Sequence, residues 1–297
     1  MYHIPVLLQQ SVDGLNIKPD GIYVDATFGG GGHAKAILDQ LDTGRLLAFD
    51  QDKDSLSNTF NDNRFTLINQ NFRYLKNFLR LHDGLPVDGI LADLGVSSHQ
   101  FDEAERGFST RFDGPLDMRM TQYQPKSAGN IVNEYSEEAL LKIFREYGEI
   151  KNSRCVTNTI LEQREVKPFE TTAQLANAVE ICFPKTKRNK FLAMVFQALR
   201  IEVNDELEAL KELLLQSEEV LKKGGRLVVI SYHSLEDRLV KNFIRTGNFE
   251  GKLEKDFYGN PIVPFKAVNS RPLVAGEAEI ELNKRARSAK LRIAEKI

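Results

Sequence analysis

Apolar residues along this chain fall into two rhythms. Short, nearly continuous runs rich in β-branched and aromatic side chains occupy residues 21–26, 45–50, 65–68, 87–93 and 226–231. Such runs predict strands buried on both faces of a parallel sheet. Between the first four, residues 33–41, 53–60 and 73–82 carry helical spacing. Alternation of this kind predicts a doubly wound α/β sheet. The stretch from Gly95 to Gly225 far exceeds the length of about a dozen residues that a crossover requires. Within it, Val203, Leu207, Leu210, Leu214 and Leu221 form one stripe of a helix predicted from Asn204 to Leu221, with Asn204 as its cap. Residues 109–200 show helical patterns at 136–148, 152–164, 171–182 and 188–201 and almost no strand signal. They read as an all-helical domain inserted into an α/β domain made of residues 1–108 and 201–297. Residues 288–295 alternate and predict a last, antiparallel strand, with helix a close competitor.

Composition narrows the class. The chain has 297 residues, 41% hydrophobic and 28% charged, ordinary values for a globular enzyme. A formal net charge of −2 gives no global attraction for nucleic acid, so any such surface must be a local patch. Cys155 and Cys182 form no CxxC and no repeated spacing, which rules out a disulfide framework and a cysteine zinc site and suits a reducing cytosol. His3, His33, His82, His99 and His233 have no i,i+4 partner, so no metal site is expected. The early apolar run from Ile4 to Leu8 is too short for a signal segment or a membrane span. A cytoplasmic protein without membrane contact is expected.

The chemistry gathers at predicted strand ends. Asp25-Ala26-Thr27-Phe28-Gly29-Gly30-Gly31-Gly32-His33 sits where the first strand turns into a helix, and glycines there let backbone approach a ligand closely. Asp50 ends the second strand, placed to accept hydrogen bonds from two ribose hydroxyls. Asp93 ends the fourth. A glycine-rich turn alone is more often only a turn, but with these two acids it predicts a nucleoside-cofactor pocket. The glycines fit a pyrophosphate loop only loosely, and no P-loop lysine follows them. Acidic strand ends suit the sulfonium and ammonium of S-adenosylmethionine better than a pyrophosphate. An oxidoreductase of the same fold, and an assembly factor that binds without turnover, stay open on these residues alone.

Seven strings carry a closer resemblance. They are His3-Ile4-Pro5-Val6-Leu7-Leu8, Thr27-Phe28-Gly29 with Gly31-Gly32-His33, Asp93-Leu94-Gly95-Val96-Ser97-Ser98, and Glu105-Arg106-Gly107-Phe108-Ser109. Asp113-Gly114-Pro115-Leu116-Asp117-Met118-Arg119-Met120, Ser234-Leu235-Glu236-Asp237-Arg238 and Arg285-Ala286-Arg287-Ser288 complete the set. In this order, across essentially the whole chain, they resemble the bacterial ribosomal RNA small-subunit methyltransferase H family, also called MraW. The resemblance implies a Rossmann-like class I methyltransferase sheet with the inserted helical domain aiding substrate recognition. It also implies methylation of the N4 amine of a cytidine in the decoding region of 16S rRNA. Carried over by motif, the cofactor contacts are Gly31, Gly32, His33, Asp50, Phe72, Asp93 and Gln100. His99 stands where the family often has proline.

That reaction sets demands on the residues. An in-line displacement at a sulfonium methyl gains much of its rate from positioning. The N4 lone pair is delocalised into the ring, so an acceptor on its N–H assists, and Asp93 is the first candidate, with a purely cofactor-binding role as its alternative. No proline pair or aromatic follows the fourth strand, which leaves Tyr232 and His233 as the nearest candidates to stack on the base. Ordinary packing and a helix-start role compete for both. Cys155 and Cys182 lie in the insert, which disfavours C5 chemistry. For phosphates the candidates are Lys185 and Arg188 in the insert, and Arg285, Arg287 and Lys290 near the last strand. The expected partner is 16S rRNA in the small ribosomal subunit. Oligomeric state is open, a homodimer included, and so is DNA as acceptor.

Overall fold

The computed structural model describes residues 5–297, so His3 and Ile4 of the first string lie outside the described residues. The chain divides into two compact units, Met1–Gly95 with Leu207–Ile297, and Val96–Glu206. In chain order the first unit opens with α1 (Leu8–Leu15), β1 (Ile22–Asp25), α2 (Gly32–Leu38), β2 (Arg45–Phe49), β3 (Phe65–Ile68), α3 (Leu75–Leu81) and β4 (Val87–Asp93). The second contributes α4 (Ser98–Asp102), α5 (Ala128–Glu134), α6 (Glu137–Glu146), α7 (Ser153–Val166), α8 (Thr172–Val179) and α9 (Arg188–Asn204). The chain then follows α10 (Glu206–Val220), β5 (Leu221–Ser231), α11 (Ser234–Thr246), β6 (Phe265–Ala267), α12 (Glu277–Leu282) and β7 (Lys290–Lys296).

The seven strands lie in the order β3-β2-β1-β4-β5-β7-β6. β1 to β5 are parallel, with Tyr23 opposite Leu46 on one side and Gly89 on the other. β7 runs antiparallel beside β5, pairing Ser231 with Lys290 and Arg226 with Glu295. Successive strand residues face opposite sides. Val24, Leu47, Ile90 and Val229 therefore join the core with Leu79 of α3, Leu213 of α10 and Phe243 of α11. Tyr23, Leu46, Leu91 and Val228 join the other with Leu15 of α1 and Ile37 of α2. Each such side chain removed from water contributes roughly 2 kcal/mol. Two-sided burial is why these strands read as unbroken apolar runs.

Several local expectations change. Residues 53–60 form a 3-10 turn over Lys53–Asn58, begun by Asp52, whose side chain accepts the Asp54 N–H at 3.2 Å. Asn204 does not cap a helix start. It is the last residue of α9, and its side chain accepts the Met120 N–H at 2.8 Å and donates to the Met118 carbonyl at 2.8 Å. Asp205, in the left-handed region, separates α9 from α10.

The helical unit has its own core, in which Phe144, Val156, Ile160, Leu175, Val195 and Leu199 meet. Phe108 is buried in that core, and Val96 and Phe101 pack against it. The compact unit thus begins before residue 109. The cysteine expectation is also corrected. Cys155 on α7 and Cys182, closing the 3-10 turn Glu180–Cys182, are joined by a disulfide. Sequence spacing had no means to show that packing brings their Cα atoms to 5.7 Å.

Candidate active site

The site is built at the carboxyl ends of β1, β2 and β4, where parallel strands release their loops. β1 ends at Asp25, whose Oδ1 accepts the Thr27 N–H at 3.0 Å. Thr27 turns its hydroxyl to accept the Asp93 N–H at 2.7 Å, which ties the ends of β1 and β4 together. The chain then enters the glycine turn. Gly29 and Gly31 have φ of 51° and 77°, a region costly for residues with a Cβ. A Cβ on Gly32 would stand 2.1 Å from the Pro5 ring, so that position accepts glycine for want of space.

Asp50, directly after β2, accepts the Gly29 N–H at 2.7 Å through Oδ2 and the Asp52 N–H at 2.8 Å through Oδ1. Each oxygen retains a lone pair free to accept a further hydrogen bond. Burial pushes this carboxyl up to about 7, against the pull of those two N–H donors. Phe72 begins a 3-10 turn capped by the Asn71 side chain, and it packs, partly buried, against the sheet core.

Asp93 is the centre of the arrangement. The Tyr232 hydroxyl donates to its Oδ1 at 2.7 Å, and His33 Nδ1 lies 3.8 Å from its Oδ2. Burial pushes the Asp93 carboxyl up, opposed by His33. Burial first, then the Asp93 charge, holds the Tyr232 hydroxyl well above its ordinary value, so Tyr232 stays a donor. The Arg285 charge opposes that rise. A Cβ on Gly95 would come 3.0 Å from the Tyr232 ring, so the chain leaving β4 passes close against it.

The structure thus brings together Gly31, Gly32, His33, Asp50, Asp93 and Tyr232 on the expected strand ends. His33 has a second partner there, and the remaining candidates are placed differently. His33, buried, directs Nε2 at the Val6 carbonyl at 3.1 Å. His233 is the N-cap of α11. Its Nδ1 accepts the Glu236 N–H at 3.4 Å, and Glu236 Oε1 lies 3.0 Å from its Nε2. Gln100 lies in the helical unit, where its side chain accepts the Ser97 N–H and closes the capping box of α4. Lys290 and Arg292 converge on Asp237, at 3.3 and 2.7 Å. Lys185 belongs to the turn Lys185–Lys187, and Arg188 opens α9, with its Nε 3.0 Å from Glu180.

Three residues escaped sequence reasoning. Asp25 is 1% exposed, and its Oδ2 has no hydrogen-bond partner among the described residues. Burial pushes that carboxyl up to about 6, with His33 opposing. Thr27 was legible only as part of a string. Glu236, buried, accepts the Tyr232 N–H at 2.8 Å and the His233 N–H at 3.3 Å through one oxygen. Its signal was the three-residue spacing from His233, that of a capping box.

The residues present fit a cationic nucleoside. Three buried or half-buried carboxyls end adjacent strands, one oxygen lacks a donor among the described residues, and a buried carboxylate in that state is complementary to an ammonium or a sulfonium. The sheet order, the antiparallel seventh strand and the acids at the ends of β1, β2 and β4 define a class I methyltransferase. The chain belongs to the MraW methylase family, which it matches over residues 1–297. S-adenosylmethionine is its methyl donor.

Relatives named ribosomal RNA small subunit methyltransferase H occur in Christiangramia forsetii, 60% identical over all of this chain and 98% of that protein, and in Bacteroides thetaiotaomicron, 59% identical over 99% of this chain and 97% of that one. Among solved structures, an rRNA methylase from Streptococcus thermophilus aligns with 99% of this chain and 98% of its own, at 15% identity and a TM-score of 0.45.

Proposed function

We propose that this chain methylates the N4 amine of a cytidine in the decoding region of 16S rRNA, acting on the small ribosomal subunit in the cytoplasm. Its support is whole-length likeness to small-subunit rRNA methyltransferases at 60% identity. The single structural observation that carries the chemistry is the Tyr232–Asp93 hydrogen bond at a strand end lined with carboxyls.

S-adenosylmethionine supplies an electrophilic methyl group whose transfer breaks a carbon–sulfur bond, forms the nitrogen–carbon bond and leaves the thioether, and the extra proton on the methylated nitrogen passes to water. Gly31 and Gly32 would admit it to the backbone, Asp50 would take the ribose hydroxyls, and His33 and Phe72 would complete its contacts in the α/β unit. Asp93 accepts a hydrogen bond from the amine, holding it in line and helping localise its lone pair. Tyr232 fixes the Asp93 carboxyl by donating to Oδ1, which leaves Oδ2 for the amine. Its ring, against Gly95, is the surface assigned to the target base. His233 acts as a positioning residue, because capping α11 through Glu236 fixes the backbone of Tyr232. The helical unit contributes substrate recognition, with Lys185 and Arg188 on phosphates, while Arg285, Arg287 and Lys290 serve the same end in the α/β unit.

The test is transfer of labelled methyl to small subunits from cells lacking the enzyme, followed by digestion to nucleosides and mass spectrometry. Label in N4-methylcytidine is expected. Label in another nucleoside overturns the assigned position while leaving the methyltransferase intact.

A further inference from the structure

The helical unit holds a feature that methyl transfer alone does not use. Lys185, Thr186, Lys187, Arg188, Asn189 and Lys190 wrap a hollow of about 400 Å³. Arg188 faces Glu180, but Lys185, Lys187 and Lys190 have no ion-pair partner among the described residues. Four cations in six residues repel one another, so their gathering is costly without an anion. The turn is nonetheless tied at both ends. After it, Phe191 of α9 stacks on Phe183, with ring centres 4.5 Å apart and planes within 4°. Before it, Cys182 is bonded to Cys155 of α7, and its carbonyl accepts from the Asn152 side chain at 3.3 Å. Within it, the Lys187 N–H donates to the Pro184 carbonyl at 2.9 Å.

We propose that this turn is a pre-shaped cradle for the phosphodiester backbone of RNA, and that the Cys155–Cys182 bond makes its grip depend on thiol redox state. The proposal rests on the rRNA reading above. Its occupant is a run of phosphates, since several cations on one turn match repeated charges at close spacing. A dithiol reductant supplies the switch. Its thiolate attacks the bond, two electrons and two protons pass to the cysteine pair, and the reductant leaves as its own disulfide. Cys155 is partly exposed, which gives the attacking thiolate a way in, while Cys182 is buried. Reduction leaves the side of the turn nearest Cys182 held by packing and single hydrogen bonds. The cations are then less well pre-organised, and pre-organisation lost at a few side chains weakens binding by about three- to tenfold.

The experiment measures binding of unmethylated small subunits, and of naked 16S rRNA, across a salt series. It compares the oxidised protein, the protein with a dithiol reductant, Cys155→Ala with Cys182→Ala, and Lys185→Gln with Lys187→Gln and Lys190→Gln. The lysine variant is expected to lower the salt slope by about 2 to 3. Reduced protein and the cysteine variant are expected to bind about three- to tenfold more weakly, and the cysteine variant is expected not to respond to reductant. Affinity for S-adenosylmethionine and the melting transition serve as checks that the variants are folded. An unchanged salt slope overturns the cradle, as does competition by inorganic phosphate with no change in slope. Equal binding by oxidised and reduced protein overturns the switch. Wild-type protein that binds RNA through these lysines yet yields no methylated nucleoside overturns the rRNA methylation reading and leaves the cradle standing.

Discussion

The two units of this protein handle charge in opposite ways. In the α/β unit the decisive groups are acids drawn inward: Asp25, Asp50 and Asp93 sit at strand ends, the first two accepting from backbone N–H groups and Asp93 from the Tyr232 hydroxyl. In the helical unit the decisive groups are cations pushed outward on one turn, Lys185 to Lys190, of which Arg188 alone faces a carboxylate among the described residues. Inward acids favour a small cation, because desolvation strengthens every remaining attraction. Outward cations favour a long polyanion, because released counterions reward each phosphate contact. A net charge of −2 conceals this division, which becomes visible only when the units are taken separately.

The sharpest way to break the contrast is at Asp93. Asp93→Asn keeps the shape but removes the anion, and methyl transfer is expected to fall by about 100- to 1,000-fold, with cofactor affinity within several-fold of wild type, measured by single-turnover kinetics and calorimetry. Charge reversal comes next: Arg285→Glu with Arg287→Glu is expected to reduce the salt slope of RNA binding by about 2 or more. Cofactor affinity should hold, and an unchanged slope removes both residues from the RNA face.

Asp25 tests the inward side through stability. Its carboxyl titrates at about 6 when folded, above its ordinary value of 3.8, so between those pH values the unfolded chain is ionised while the folded chain keeps its proton. This group therefore lowers stability progressively as pH rises from about 4 to 6. Above that range the loss is complete, about 3 kcal/mol for a shift from 3.8 to about 6. Asp25→Asn is expected to raise the melting temperature at pH 8 and to leave it nearly unchanged at pH 4, while weakening cofactor binding. The smallest effect is at the α11 cap, where His233→Ala is expected to cost about 1 kcal/mol by denaturant titration, with a modest loss of turnover through Tyr232.

Much of the inward side was legible in the sequence. The five parallel strands follow from continuous apolar runs, and Gly31, Gly32, Asp50 and Asp93 follow from where those runs stop. β7 was readable from alternation, but β6 has three residues, two of them exposed, and offers too little pattern. Asp25 was hidden because a carboxylate at a strand end looks the same whether its oxygens are paired or orphaned. His233 was ambiguous for a related reason. A residue that caps a helix and one that meets a base occupy the same kind of place in a sequence, and only the geometry of Glu236 separates them. The disulfide depended on packing between α7 and the turn after α8, which no local pattern encodes.

The interruption of the sheet bears on how the protein is assembled. β4 and β5 are hydrogen-bonded neighbours, Asp93 opposite Ile230, yet the whole helical unit separates them along the chain. Closing a flexible loop costs more entropy the longer it is, and an intervening unit that has already folded counts as a short tether instead of more than a hundred free residues. Because the helical unit has a core of its own, its early formation would lower that closure cost by about 1–2 kcal/mol. A helical unit that folds first would thus shorten the search by which the two halves of the sheet find one another.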